Sequence, residues 1–135
     1  MWGWLRDGTK SLRPLLDMSR VENTVDEGTP DVEGCLEGEQ FWCELKALAR
    51  PVKPSTRIDL EVDTEQVRWH RRRSKAGGRT WFLIQVGSGR SASRYLIPGY
   101  RSMKLAEKRS EAELESLAVI IPGANARNIL KMMGK

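Results

Sequence analysis

Strict alternation of apolar and polar residues runs from Pro30 to Lys46. Val32, Gly34, Leu36, Phe41, Cys43 and Leu45 fall on one face, and Asp31, Glu33, Gln40, Trp42, Glu44 and Lys46 on the other, which predicts two strands. Glu37-Gly38 is the turn between them, because glycine at the second loop position supplies the positive φ of a two-residue hairpin. Pro30 opens the first strand. The turn sets the register. Leu36 faces Glu39, so Asp31 faces Glu44, and Lys46 lies on the diagonal. A slip of one residue would carry Asp31 to the opposite face.

The remaining pattern is less regular. Leu12, Leu15, Leu16 and Met18 are spaced as a helical stripe, which predicts a helix over about 9–23 with Thr9 or Ser11 as its cap and Pro14 in its first turn. Glu22 then falls on the stripe of Leu15 and Met18. Residues 1–8, with Trp2 and Trp4, read as an arm or cap. Pro51 and Pro54 mark an exposed loop over 47–56, and 57–62 reads as a loop or weak edge strand. Asp63 or Thr64 caps a second helix, about 64–76, which Gly77-Gly78 ends. Residues 79–86 (RTWFLIQV) are apolar on both faces, as in a central strand covered twice. A further strand at 94–97 stops at Pro98-Gly99, and short helices follow at 102–108, 110–117 and 125–133. The order predicts an α/β single domain, a small mixed sheet flanked by helices. Its core is expected over about 9–98, with the C-terminal helices (102–133) as an extension. Ile129, Leu130, Met132 and Met133 suit core packing or a dimer contact.

Charge and chemistry narrow the function. The chain has 135 residues and a net charge of +5, which favours a polyanionic partner without specifying one. No apolar run is long enough for a bilayer, and the N-terminus lacks a signal-peptide pattern. Cys35 and Cys43 are too few for a zinc site and are expected on opposite faces, so a reduced, cytoplasmic setting fits. His70 is the single histidine, which excludes histidine metal clusters and Ser-His-Asp triads. Catalysis would have to run on carboxylates, lysine and metal. Directly opposed residues stand about 4.5–5.5 Å apart, so Asp31 and Glu44 would repel unless a cation lay between them. Magnesium typically takes one or two carboxylates plus water and phosphate. Arg68, Arg71, Arg72, Arg73 and Lys75 make the second helix basic, and Arg50, Lys53 and Arg57 are placed to meet phosphates. Each residue has a plain reading too. Asp31 alone is a turn residue, Glu44 and Lys46 alone are a solvated strand face, and the arginine run is a solvated helix face. The functional signal is their conjunction on one face.

Pro30-Asp31 followed by Glu44-Leu45-Lys46 on the adjacent strand resembles the PD-(D/E)xK nuclease superfamily. Arg20-Val21-Glu22-Asn23, Gly28-Thr29-Pro30-Asp31, Phe41 to Lys46, Glu65 to Trp69 and Gly77-Gly78 together resemble its virus-type replication-repair nuclease (VRR-NUC) branch. Small phage-encoded members resemble this layout over about 18–98, and the residues after Pro98 match no named pattern. The resemblance implies a restriction-endonuclease-like core. It implies that Asp31, Glu44 and the Leu45 backbone carbonyl hold one or two Mg²⁺ or Mn²⁺ ions, with Glu22 a further candidate carboxylate. Lys46 would orient the attacking water and stabilise transition-state charge, and Gln66 would position that water or Lys46. The implied activity is a metal-dependent DNA endonuclease leaving a 5′-phosphate, acting on branched DNA such as Holliday junctions. A resolvase needs two active sites, hence a homodimer. Arg50, Lys53, Arg72, Arg73 and Lys75 are the expected DNA contacts. The expected location is the cytoplasm, the host's if the chain is phage-encoded. Two alternatives stand beside this: a non-catalytic nucleic-acid-binding protein on a nuclease fold, and an interaction protein whose charge is incidental.

Overall fold

The computed structural model describes residues 1–22, 27–120 and 123–135. A hairpin joins strand β2 (Val32–Leu36) to β3 (Glu39–Leu48). Glu37 and Gly38 have φ values of 50° and 86°, both positive as a right-twisting two-residue hairpin requires. The register pairs Leu36 with Glu39, Gly34 with Phe41 and Val32 with Cys43, as the alternation predicts. Gly34 has no room for a side chain, because a Cβ there would lie 2.3 Å from the Phe41 ring. The phenyl group covers the gap that the glycine leaves in the sheet.

The helix expected over 9–23 does not form. Lys10–Leu12 is a short 3₁₀ turn, and Leu16–Arg20 is strand β1, antiparallel to β2. Leu16 and Met18 point toward the core and Asp17 and Ser19 away from it, an alternation that the helical spacing of the leucines masks. Pairing with β1 satisfies the outer backbone groups of β2, which a helix at this position would leave as a bare edge. Asn23, the end of the expected helix, lies outside the described residues, as do Val25 and Asp26 of the connection that follows.

After β3, helix α2 (Thr64–Lys75) leads to β4 (Thr80–Val86), parallel to β3, and β5 (Ser93–Pro98) returns antiparallel. A crossover between parallel strands needs a dozen or more residues, and the 49–63 loop with α2 supplies them; Ala47 and Leu48, expected in the loop, extend β3 instead. Ile58 makes one isolated bridge to Arg109, and 57–62 is otherwise irregular. The sheet order is β1-β2-β3-β4-β5.

Both faces of the sheet are covered. On one, Phe41, Cys43, Leu83 and Leu96 pack with Leu5 of α1 (Trp2–Asp7) and with Ile129, Leu130 and Met133 of α4 (Ala126–Met133). On the other, Phe82, Ile84, Tyr95 and Ile97 pack with Ile58, Leu60, Leu105 and Leu114, the last from α3 (Glu111–Leu117). The segments expected as an arm and as an extension thus supply core residues. The 102–108 helix is a 3₁₀ stretch, Gly99–Leu105.

Candidate active site

Parity along the strands puts Asp31, Trp42, Glu44 and Lys46 on the α2 face of the sheet. Trp42 confirms the facing, its ring centroid 5.3 Å from that of Trp69 on α2. Asp31 sits immediately before β2, where two contacts hold it. Its carbonyl accepts from the Val21 N–H at 2.7 Å, and its Oδ2 accepts from the Leu45 N–H at 3.0 Å. The carboxylate is thereby docked on β3 between Glu44 and Lys46. The loop leading into Asp31 is seated on α2. Gly28 has φ +84°, and a Cβ there would lie 2.2 Å from the Glu65 carbonyl oxygen, so only glycine permits this approach.

Glu44 is the unusual member. It is 4% exposed, and its Oε2 is buried without a hydrogen-bond partner among the described residues. Burial, then the hydrogen bond and charge of Asp31, raise its carboxyl to about 9, against the opposing pull of Lys46. Asp63 also raises it. A carboxyl in this setting is neutral at pH 7 unless a positive charge arrives. A cation brought beside Asp31 and Glu44 would lower its pKa again. Among the described residues no group of three or more His, Cys, Asp or Glu is placed to hold a metal.

Lys46 reaches across to the loop before α2, where its Nζ donates to the Glu61 carbonyl at 2.6 Å. Glu61 has φ 57°, a left-handed conformation that costs a non-glycine residue about 1 kcal/mol or more. The Asp59 carboxylate supports it by accepting from the Glu61 N–H at 2.9 Å. Gln66 is in the first turn of α2 as the third residue of a capping box. Its N–H donates to Asp63 Oδ1 at 2.9 Å, and its Oε1 accepts from the Asp63 N–H at 3.2 Å. The side-chain oxygen is committed to the cap, and the amide NH₂ remains for another partner. Glu22 is exposed, two residues beyond β1, so the helical stripe that aimed it at a site does not exist.

The basic residues divide. Arg50 is committed within the chain. It pairs with Glu111 at 2.7 Å and donates to the Val86 carbonyl at 3.1 Å and Ser93 Oγ at 2.9 Å, so the guanidinium expected to meet DNA is engaged inside the chain. It clasps the loop that follows β3 to β4, β5 and α3. Arg57 pairs with Glu113 at 3.4 Å. Arg73 stacks on Trp69 and Trp42, its guanidinium 4.8 and 5.6 Å from their centroids. Lys53, Arg72 and Lys75 are exposed. His70 is buried, 4.1 Å centroid to centroid from Phe82, with neither ring nitrogen bonded. Burial lowers its pKa to about 3.

Asp59, Glu61 and Asp63 join the site without a signal in the sequence motif. The Lys46–Glu61 contact links residues far apart in the chain, and glutamate does not advertise a left-handed backbone. Gly28 was visible as part of Gly28-Thr29-Pro30-Asp31, but not its seat on Glu65.

No family model and no curated protein matches the chain. Among solved structures it is similar to Hjc, a Holliday junction resolvase from the archaeal hyperthermophile Archaeoglobus fulgidus. The two are 12% identical with a TM-score of 0.55, over 96% of this chain and 98% of that chain. The similarity is one of fold. The mixed five-stranded sheet flanked by helices, in a single domain, is restriction-endonuclease-like.

Proposed function

We propose that this chain is a metal-dependent endonuclease that hydrolyses phosphodiester bonds in branched DNA. The observation that carries the reading is the buried, unpartnered Glu44 oxygen beside Asp31, with Lys46 two residues along the same strand face. Burying a carboxylate without a partner is costly, and a divalent cation at this pair removes the cost. When bound, Mg²⁺ or Mn²⁺ would acidify a water and neutralise charge building on the scissile phosphate. Asp31, Glu44 and the Leu45 carbonyl would hold it. Lys46, held over the site by the Glu61 carbonyl, would orient the attacking water and stabilise the developing phosphate charge. The free amide of Gln66 would help to position that water. Lys53, Arg72, Arg73 and Lys75 would contact phosphates.

Branched DNA is the preferred substrate on two grounds. The neighbour Hjc is a Holliday junction resolvase, and a single small domain favours reading backbone shape over base sequence. Symmetrical resolution of a junction requires a two-fold dimer. The Arg20-to-Asn23 and Gly28-to-Asp31 motifs favour the virus-type replication-repair branch. The test is cleavage of labelled four-way junction, flap, duplex and single-stranded DNA in Mg²⁺ or Mn²⁺, with sedimentation of the protein at micromolar concentration. Paired symmetrical nicks in the junction by a dimer are expected. Even cutting of all substrates would remove the junction claim, and a monomer that cuts one strand only would remove the resolvase claim.

A further inference from the structure

A cleft of about 500 Å³ opens beside the C-terminal end of α2, where Thr80 and Trp81 begin β4 and Tyr100 follows β5. Arg71, Lys75 and Arg79 line it, with no carboxylate among its walls as far as the described residues go. Arg79 is occupied by Glu39 at 2.7 Å and by the Lys135 carbonyl. Arg71 and Lys75 are exposed and make no ion pair or side-chain hydrogen bond among the described residues. Tyr100 stands at the cleft and is 65% exposed. Basic residues commonly sit in a helix's last turn to complement its dipole. Here, however, the N–H groups of Ala76, Gly77 and Gly78 already bond the carbonyls of Arg72, Ser74 and Arg73. The dipole explanation also leaves unexplained the cleft and the exposed tyrosine, whose ring centroid lies 5.4 Å from the Arg101 guanidinium.

The location supplies the rest. Trp42 pairs with Thr80 and Glu44 with Phe82, so Thr80 in the cleft wall lies two residues along and one strand across from Glu44, about 8 Å. A DNA strand advances about 3.4 Å per nucleotide along a duplex axis. We propose that the cleft binds a nucleotide of the DNA strand one or two positions from the scissile phosphate, with Arg71 and Lys75 on its phosphate and its base stacked on Tyr100. The inference rests on the endonuclease reading for its substrate, but its test does not need cutting. The stretch of Trp42 and Arg73 between cleft and carboxylates gives the strand a stacked, cationic floor.

The experiment is fluorescence anisotropy of a labelled thymidine octanucleotide in EDTA, where metal-dependent cleavage is silent. Tyr100→Ala should weaken binding about tenfold and Tyr100→Phe should restore it, because stacking requires a ring and not a hydroxyl. The Arg71→Ala/Lys75→Ala double variant should weaken binding and make it less salt-dependent. These side chains are exposed, so the variants fold. Affinities within twofold of wild type for Tyr100→Ala and the double variant would overturn the proposal. Equal losses for Tyr100→Ala and Tyr100→Phe would overturn the stacking role. Binding through the cleft by a protein that cuts no DNA in Mg²⁺ would keep the cleft and sink the endonuclease reading instead.

Discussion

Two buried titratable groups should give this protein opposing responses to acid, and separating them tests the described electrostatics. His70 has a folded pKa of about 3 against 6.5 in the unfolded chain, lowered by burial. Its contribution to stability is intact above pH 6.5 and is lost as pH falls toward 3. The loss approaches about 1.4 kcal/mol per pH unit. Glu44 runs the other way. Its folded pKa of about 9 exceeds the ordinary 4.5, through burial first and Asp31 second. Its contribution is full below pH 4.5 and is lost as pH rises through 9. Between pH 6.5 and 5 each group should move stability by about 2 kcal/mol in opposite senses, so together they nearly cancel in metal-free protein. His70→Leu should expose the Glu44 slope, with stability rising by about 2 kcal/mol relative to wild type on acidification from pH 6.5 to 5. Glu44→Gln should expose the opposite slope. The assay is urea denaturation in EDTA at several pH values, and the readout is the difference from wild type, in which the other groups and any fixed packing cost cancel. In saturating Mg²⁺, with Glu44 ionised, wild type should follow the Glu44→Gln trend. Parallel curves for wild type and His70→Leu across this window would refute the assignment of His70 as a neutral, unbonded core residue.

Three further outcomes follow from single contacts. Gly28→Ala puts a methyl group 2.2 Å from the Glu65 carbonyl oxygen at φ +84°. It should cost about 1–3 kcal/mol in urea denaturation and, by lifting Asp31 off β3, lower cleavage rates of the remaining folded protein. Arg50→Ala removes the Glu111 ion pair and three further hydrogen bonds, to the Ser91 and Val86 carbonyls and Ser93 Oγ, so it should lower stability by about 2 kcal/mol with DNA affinity unchanged in a binding titration. Glu61→Gly keeps the carbonyl that holds Lys46 and relieves the φ of 57°. It should keep cleavage and stability near wild type, whereas Glu61→Pro, unable to adopt that φ, should lose cleavage.

The legible part of the fold was the part governed by local rules. Asp31, Glu44 and Lys46 could be placed on one face because a two-residue turn leaves one register, and the apolar run of 79–86 could be placed centrally because both its faces need cover. Asp63 and Gly77 likewise announced the ends of α2. The region of Leu12 to Met18 was ambiguous, since four apolar residues in seven positions satisfy a helix and a short strand equally. The choice falls to β2, whose edge needs a partner. Arg50 looked like a phosphate contact because an arginine in an exposed loop shows its charge in the sequence but not its distant acceptors on Glu111 and Val86. The Glu61 carbonyl under Lys46 was invisible for the same reason. Long-range pairing placed it, not composition.

The central claim is that Asp31, Glu44 and Lys46 form a metal-dependent cutting site. Its most direct test is single-turnover cleavage of a labelled four-way junction across a Mg²⁺ titration, comparing wild type with Lys46→Ala after junction binding has been matched in Ca²⁺. Wild-type cutting should rise to a plateau with Mg²⁺, while Lys46→Ala should bind equally well and cut at least about a hundredfold more slowly, as for loss of one charge-stabilising donor. Cutting by Lys46→Ala at the wild-type rate would contradict it, as would a wild-type protein that binds the junction and cuts it at no concentration of Mg²⁺ or Mn²⁺.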